Sequence, residues 1–165
     1  MKKLLFILLL VANFAQAQEV GFSRGNPSAK SIVLKAIHSA QKTLYLAAYQ
    51  LTSADILKAL VEAHNRGVIV AVVLDRTQAA GDSQAVLVAS NIECNIDTKF
   101  RIMHHKFIVV DGTKVQTGSF NYSQNADKVN AENAILFDNQ TMARTYKAQW
   151  DWLKVNTKPC IGGGQ

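Results

Sequence analysis

The stretch MHHKFIVVDGTKVQTGSFN, residues 103–121, places an Asp-Gly pair between two segments rich in apolar and β-branched residues. An Asp-Gly pair between two strand-like segments is a strong local signal for a β-hairpin with a tight turn. The pattern predicts a strand over Met103 to Val110, a turn at Asp111-Gly112 and a returning strand over Lys114 to Thr117. The hairpin then brings the residues that follow it back toward the start of its first strand.

Polar side chains at the open end of this hairpin are expected to converge. Side chains alternate between the two faces of a strand, so His104 and Lys106 project from one face and His105 from the other. Ser119 and Asn121 also share a face, and the hairpin returns them toward His104. One nucleophile or base, one fixed cation, one hydroxyl and one amide therefore lie within reach of a single point.

This combination of groups is suited to a phosphodiester. Lys106 supplies a compact positive charge for phosphate oxygens, to which Ser119 and Asn121 can donate hydrogen bonds. His104 can attack phosphorus or transfer a proton near neutral pH. Glu132 is expected to accept a hydrogen bond from the other ring nitrogen of His104 and so fix its tautomer, as the acid of a Ser-His-Asp triad does.

The rest of the chain alternates strand-like and helix-like segments, with no internal repeat or linker. This alternation predicts a single α/β domain with a mixed β-sheet sandwiched between α-helices. The expected strands are Val20 to Ser23, Thr43 to Tyr49, Val68 to Leu74 and Ala134 to Phe137. The expected helices run from Pro27-Ser28 to about Ala40, from Ser53 to Arg66, from Ser83 to Ser90 and from Gln140 to Val155.

The first seventeen residues have the features of a secretory signal peptide. Lys2 and Lys3 precede the apolar run Leu4 to Phe14, and Ala15-Gln16-Ala17 matches the small-x-small pattern of a cleavage site. The alternative is an uncleaved anchor, but the run is shorter than the roughly 20 residues that a membrane span needs. We expect residues 1–17 to be removed, and residues 18–165 to form a periplasmic or secreted domain without stable membrane association.

The net charge and the two cysteines do not by themselves identify the partner or the compartment of the protein. The formal charge of the whole chain is +6, and the mature chain keeps +4 because it loses Lys2 and Lys3. A modest positive excess suits a polyanionic partner, and an ordinary basic surface is the alternative. In an oxidising compartment Cys94 and Cys160 could be bridged, but the sequence gives no distance between them and leaves the question open.

The residues singled out so far form the pattern H-x-K-x4-D-x6-G-S-x-N from His104 to Asn121. This pattern resembles the motif of the phospholipase D superfamily at every fixed position, and Glu132 lies where its small nucleases place an acid. The exported start, the Leu44 to Tyr49 strand and the Trp150-to-Trp152 tail are similar to the periplasmic endonucleases of that superfamily. The resemblance covers essentially the whole mature chain.

The resemblance implies a metal-free mechanism that uses two histidines. His104 would attack phosphorus to form a phosphohistidine, a second histidine would protonate the leaving oxygen, and water would release the phosphate. Lys106 and Asn121 would hold the phosphate, with Ser119 and Glu132 in support. Because the chain carries the motif once, the resemblance implies a homodimer with the active site at its twofold interface, acting on DNA, with RNA as an alternative. The parity of Asp111 along the strand suggests that it stabilises the turn.

Three alternatives compete with this interpretation of the residues. A metal site from His104, His105, Asp111 and Glu132 is conceivable, but adjacent histidines on a strand point to opposite faces, so no metal or other cofactor is expected. A lipid phosphodiesterase is the second candidate, although no insertion for an acyl pocket is evident. A nucleic-acid-binding module that has lost catalysis is the third, and the complete motif argues against it.

A basic rim would favour nucleic acid as the substrate. Arg76, Lys99, Arg101 and Lys128 are expected to line a groove and contact phosphates next to the scissile one, and the alternative is that they are solvated surface charges. The chain shows no element for reading bases, so the sequence predicts a sequence-nonspecific endonuclease.

Overall fold

The predicted hairpin lies inside a larger sheet in the computed structural model, which describes residues 18–78 and 81–161. Within these ranges eight strands form one mixed sheet in the order β1-β7-β6-β5-β2-β3-β4-β8. The strands are β1 Gln18–Phe22, β2 Thr43–Ala48, β3 Ile69–Leu74, β4 Glu93–Asp97, β5 Lys106–Val110, β6 Lys114–Gly118, β7 Asn133–Asp138 and β8 Thr157–Pro159. The predicted signal peptide, residues 1–17, lies outside the described residues.

Helices cover both faces of this sheet, as the sequence predicted. The helices are α1 Ala29–His38, α2 Ala54–Asn65, α3 Asp82–Ala89, α4 Gln124–Lys128 and α5 Gln140–Lys154. The first four pack on one face and α5 on the other, so the apolar core has two parts, one on each side of the sheet. None of the described helices is long and apolar enough to cross a bilayer.

The turn of the hairpin forms as its sequence predicts. Asp111 and Gly112 have φ angles of 52° and 64°, the left-handed values that a type I′ turn requires at both central positions. The first strand of the hairpin was predicted too long, because it begins at Lys106 and not at Met103. Two strands, β2 and β3, lie between β4 and β5 in the sheet, so residues 98–105 are used to cross the sheet edge from β4 to β5.

Two edge elements were missed. The β4 sequence ECNID is almost fully buried but contains three polar residues, and β8 is only three residues long and ends at a proline. These elements bring the two cysteines together: Cys94 and Cys160 form a disulfide with their Cα atoms 5.3 Å apart. The disulfide joins the residue that follows β8 to β4, the strand with which β8 pairs.

Candidate active site

The candidate residues lie at one edge of the sheet, where β5 begins, β6 ends and β7 begins. Because β5 and β7 both run antiparallel to β6, these three strand ends meet at the same edge. His104 lies two residues before β5, Asn121 lies three residues after β6, and Glu132 directly precedes β7. The sheet topology therefore brings together the groups that the sequence pattern predicted to be close.

Lys106 and His104 form the centre of this site. Lys106 is only 9% exposed, and its ammonium group donates a 2.8 Å hydrogen bond to the carbonyl oxygen of His104. The same nitrogen lies 3.2 Å from Nδ1 of the His104 ring. Burial lowers the pKa of Lys106, and the negative charge of Glu132 opposes that shift. A poorly hydrated cation beside an imidazole is placed to hold a phosphate oxygen while the imidazole acts on phosphorus.

Tyr49 forms one wall of the site and was not identified from the sequence. Its ring centroid lies 4.5 Å from that of His104, and Nζ of Lys106 lies 5.3 Å from the Tyr49 centroid. The position follows from the antiparallel pairing of β2 with β5, in which Ala48 lies opposite Lys106. An aromatic residue at the end of a predicted strand was the available signal, but a single sequence does not specify the register that brings it to His104.

Ser119 and Glu132 contact each other. The Ser119 hydroxyl donates to Oε2 of Glu132 at 2.5 Å, and the Asn130 amide donates to Oε1 at 2.9 Å. The expected hydrogen bond between Glu132 and His104 is not formed within the described chain, because both oxygens of the carboxylate face these other donors. Glu132 therefore acts on Lys106 through its charge and positions Ser119.

Asn121 presents an unsatisfied polar atom. Its amide oxygen is buried and has no hydrogen-bond partner among the described residues. The next residue, Tyr122, is fully buried and fixes this segment, because its carbonyl oxygen accepts hydrogen bonds from the amides of Thr52 and Ser53 and its amide donates to Gln50. A buried polar atom without a partner costs about 1–3 kcal/mol, and such groups are typical of sites that bind a ligand.

His105 points away from this centre. Its ring packs edge-on to Phe107, with centroids 5.6 Å apart, and its Nε2 lies 3.4 Å from the side-chain amide nitrogen of Gln149 on α5. A groove of about 530 Å³ runs between this face and α5 and reaches His104 and Lys106. Burial, and then the positive charge of Lys106, lower the pKa of His105. The lowered pKa disfavours the protonated form of His105 that a general acid would need.

Asp111, the remaining fixed acid of the motif, lies at the far end of β5 from Lys106. Its carboxylate accepts hydrogen bonds from the backbone amides of Gln41, Lys42 and Thr43, at 3.0, 2.8 and 2.9 Å. The contact fixes the start of β2 against the hairpin turn. Asp111 therefore does not take part in the site at the opposite sheet edge.

The surroundings of the site are basic. Arg76 follows β3, Lys99 and Arg101 lie in the connection after β4, and Lys128 is the last residue of α4, so all four exposed cations lie in the segments that follow strand ends at the same sheet edge as His104. Among residues 18–78 and 81–161, no group of three or more histidine, cysteine, aspartate or glutamate side chains is arranged to hold a metal ion. Lys106 and these exposed cations place positive charge at this sheet edge.

Comparison with known proteins identifies the family. Residues 33–154 match the domain family described as cardiolipin synthase, PLD-like domain. The chain belongs to the phospholipase D superfamily. In this superfamily, the crystal structure of the phospholipase D family member Nuc from Salmonella typhimurium is 34% identical, with a TM-score of 0.84, and the match covers 88% of this chain and 98% of Nuc.

Two curated members of the superfamily carry names that refer to lipids. A phospholipase D of Rickettsia prowazekii is 38% identical over 120 residues, which cover 72% of this chain and 58% of that protein. A mitochondrial cardiolipin hydrolase of Xenopus tropicalis is 33% identical over 128 residues, which cover 76% of this chain and 61% of that protein. The chain thus spans about three fifths of the length of these relatives, and essentially the full length of Nuc.

Proposed function

We propose that this member of the phospholipase D superfamily is a sequence-nonspecific endonuclease that hydrolyses nucleic-acid phosphodiester bonds through a phosphohistidine at His104, without a metal ion. The observation that carries the proposal is the buried ammonium group of Lys106, 3.2 Å from the His104 ring. This cation can do the work that a divalent ion does elsewhere, since it stabilises charge on the phosphate oxygens as phosphorus is attacked.

The proposed reaction takes two displacements. In the first, a ring nitrogen of His104 forms a bond to phosphorus, and the bond from phosphorus to the leaving oxygen breaks as that oxygen takes a proton from a general acid. In the second, water attacks the phosphohistidine, gives its proton to the same group and releases His104. Lys106 and the side-chain NH2 group of Asn121 hold the phosphate in both steps, while Ser119 and Glu132 support them.

The general acid is proposed to be His104 of a second copy of the chain. His38 and His64 end α1 and α2, just before strands that start at the opposite sheet edge, and His105 points toward α5. A twofold dimer with its axis at the site would bring two copies of His104 together, so that one attacks while the other protonates the leaving oxygen. The exposure of His104 supports this arrangement, because an exposed ring is accessible to a second copy of the chain.

Nucleic acid is favoured as the substrate by the basic rim. Four exposed cations, Arg76, Lys99, Arg101 and Lys128, would contact phosphates next to the scissile one, which gives binding without reading sequence. The second candidate is a lipid phosphodiester. Two observations favour it: the names of the curated relatives, and the exposed apolar side chains of Phe22, at the end of β1, and Val129, directly after α4, which are 59% and 72% exposed and lie near Glu132.

Export is part of the proposal. The signal-like residues 1–17 motivate it, and the disulfide between Cys94 and Cys160 supports it, because such bonds persist mainly in oxidising compartments. We propose that the working protein is the periplasmic or secreted domain of residues 18–165.

Incubation of purified residues 18–165 with plasmid DNA, RNA and phosphatidylcholine vesicles, each in EDTA, tests the proposal. The matched control is Lys106→Met, which keeps the length and apolar stem of the side chain but removes its charge. We expect nicking and degradation of nucleic acid in EDTA by the wild type and none by Lys106→Met. Release of choline with intact nucleic acid would instead establish the lipid function, and activity that returns only with added magnesium or zinc would contradict the metal-free mechanism.

A further inference from the structure

The segment that carries His104 is not held by strand pairing. β5 begins at Lys106, so residues 98–105 cross the sheet edge outside the ladder. Two contacts hold the end of this crossing. The Met103 amide donates a 2.6 Å hydrogen bond to Oδ2 of Asp75, and the Tyr49 amide donates a 3.0 Å bond to the carbonyl oxygen of His105. His104 itself accepts the 2.8 Å hydrogen bond from the Lys106 ammonium group, and its two neighbours in the chain attach the backbone to the sheet on either side.

Asp75 is an unusual residue to find at this position. It directly follows β3 and is fully buried, and a buried carboxylate is costly unless hydrogen bonds compensate it. Its second oxygen, Oδ1, accepts bonds from the amide of Thr77, at 2.8 Å, and from the Thr77 hydroxyl. The carboxylate thus joins the end of a central strand to the residue that precedes His104.

We propose that Asp75 is a positioning residue for catalysis, which fixes the backbone at Met103 so that the His104 ring keeps its contacts with the Tyr49 ring and the ammonium group of Lys106. The inference rests on the proposed role of His104 as nucleophile. Displacing a reacting group by about 1 Å can cost on the order of 10²-fold in rate, so a buried anchor one residue away has a large effect on turnover. Asp75 itself does not touch the substrate.

Asp75→Asn tests the anchor with little change of volume. The amide offers one oxygen where the carboxylate offers two, so its NH2 group must face the amide of either Met103 or Thr77, donor against donor. The matched control is Asp97→Asn. Asp97 is also fully buried and lies beside Asp75 at the end of the neighbouring strand β4, because Leu74 at the end of β3 pairs with Ile96.

The control differs from Asp75 in what it holds. One oxygen of Asp97 accepts from the Phe100 amide at 2.9 Å, at the start of the crossing, and the other has no partner among the described residues. An asparagine can keep the first contact and place its NH2 group where no donor opposes it. Asp97→Asn therefore removes the same buried charge at the same sheet edge and leaves the Met103 contact intact.

The experiment measures kcat and KM on a chromogenic phosphodiester and on plasmid DNA, with the histidine ring signals in ¹H–¹³C NMR spectra. Asp75→Asn is expected to lower kcat by about 10²-fold with little change in KM, and to shift the His104 ring signal. Asp97→Asn is expected to keep kcat and the His104 signal. A folded Asp75→Asn with wild-type kcat and an unmoved His104 signal would overturn the inference, as would equal loss in the two variants.

Two further arms keep the outcome decisive. If Asp75→Asn does not fold, Asp75→Glu is assayed, because it keeps the charge and displaces the acceptor by about one carbon–carbon bond; a roughly tenfold fall in kcat at unchanged KM supports the inference and an unchanged kcat overturns it. If the wild type turns over no phosphodiester, the proposed function fails, and the His104 ring signal alone decides whether Asp75 positions this histidine.

Discussion

Replacing Asp111 should lower stability and leave the chemistry nearly unchanged, although this aspartate belongs to the fixed motif. Its carboxylate accepts three backbone hydrogen bonds of 2.8–3.0 Å, two at Oδ1 from Lys42 and Thr43 and one at Oδ2 from Gln41. Asp111→Asn keeps an oxygen for the first two and keeps a residue type that tolerates the φ of 52°. It loses the bond to Gln41 and the negative charge.

The expected loss is about 1–2 kcal/mol in the free energy of unfolding. A hydrogen bond to a charged group contributes roughly 1.5–3 kcal/mol, and the low end applies because the donors here are at the surface, where water replaces the lost acceptor. Asp111→Gly, which keeps the left-handed backbone but removes all three bonds, should cost about 3 kcal/mol. Both losses are large against a total stability of about 5–15 kcal/mol.

The pH dependence of this contribution has a defined sign. Burial by itself would raise the pKa of Asp111, but the hydrogen bonds from Thr43, Lys42 and Gln41 and the charge of Lys114 lower it below its ordinary 3.8. A carboxyl group with a lowered pKa in the folded state stabilises the fold above its unfolded pKa and loses this contribution as the pH falls through the folded value. The wild type and Asp111→Asn should therefore differ most at neutral pH and converge in acid.

Urea unfolding at pH 7 and at acid pH measures these differences, and kcat on plasmid DNA at 25 °C is measured on the same preparations. We expect Asp111→Asn to keep wild-type kcat in the folded fraction while its unfolding midpoint falls. A variant of wild-type stability with abolished turnover would refute the assignment of Asp111 to the turn and place it in the chemistry.

Three other predictions concern the site itself. His104→Ala should lower kcat by at least about 10³-fold, whereas His105→Ala, whose ring faces α5, should keep most of it; equal damage in plasmid-cleavage assays would contradict the separation of the two rings. The reaction needs the charged form of Lys106, which is lost as the pH rises through the Lys106 pKa; burial lowers this pKa and the charge of Glu132 raises it. Glu132→Gln should therefore lower the Lys106 pKa and move the alkaline limb of the pH–rate profile to lower pH. An unmoved limb would show that Lys106 does not set it. Refolding wild-type chains with excess His104→Ala chains should lower the activity per wild-type chain steeply if two copies share the site, whereas strict proportionality and a monomeric mass would refute the shared site.

The sequence predicted the elements whose local signals are strong. Asp111-Gly112 supplied the turn chemistry, and helical spacing of apolar residues located α1, α2 and α5 to within a few residues. The mixed sheet between helical layers is confirmed by the structure and by its likeness to Nuc. These features depend on neighbours in the chain, so a single sequence contains them.

The features that depend on distant pairing were missed or misplaced. Met103, His104 and His105 were assigned to the strand, whereas the strand order forces the chain to cross the sheet edge there. Tyr49 and Asp75 contact the His104 segment only through the register of β2, β3 and β5. Glu132 was expected to accept a hydrogen bond from His104, but it accepts one from Ser119 instead. Spacing along the chain does not show which of these two residues lies closer to Glu132.

The most direct test of the central claim, a covalent intermediate on His104, is the stereochemical course at phosphorus. A dinucleotide with a single phosphorothioate diastereomer as its scissile linkage is hydrolysed in ¹⁸O-labelled water with EDTA present, and the configuration of the product is determined. Two successive in-line displacements, first by His104 and then by water, invert phosphorus twice and predict overall retention. Overall inversion would show that water attacks the substrate directly, and would contradict the proposed mechanism even if every substitution at His104 abolished activity.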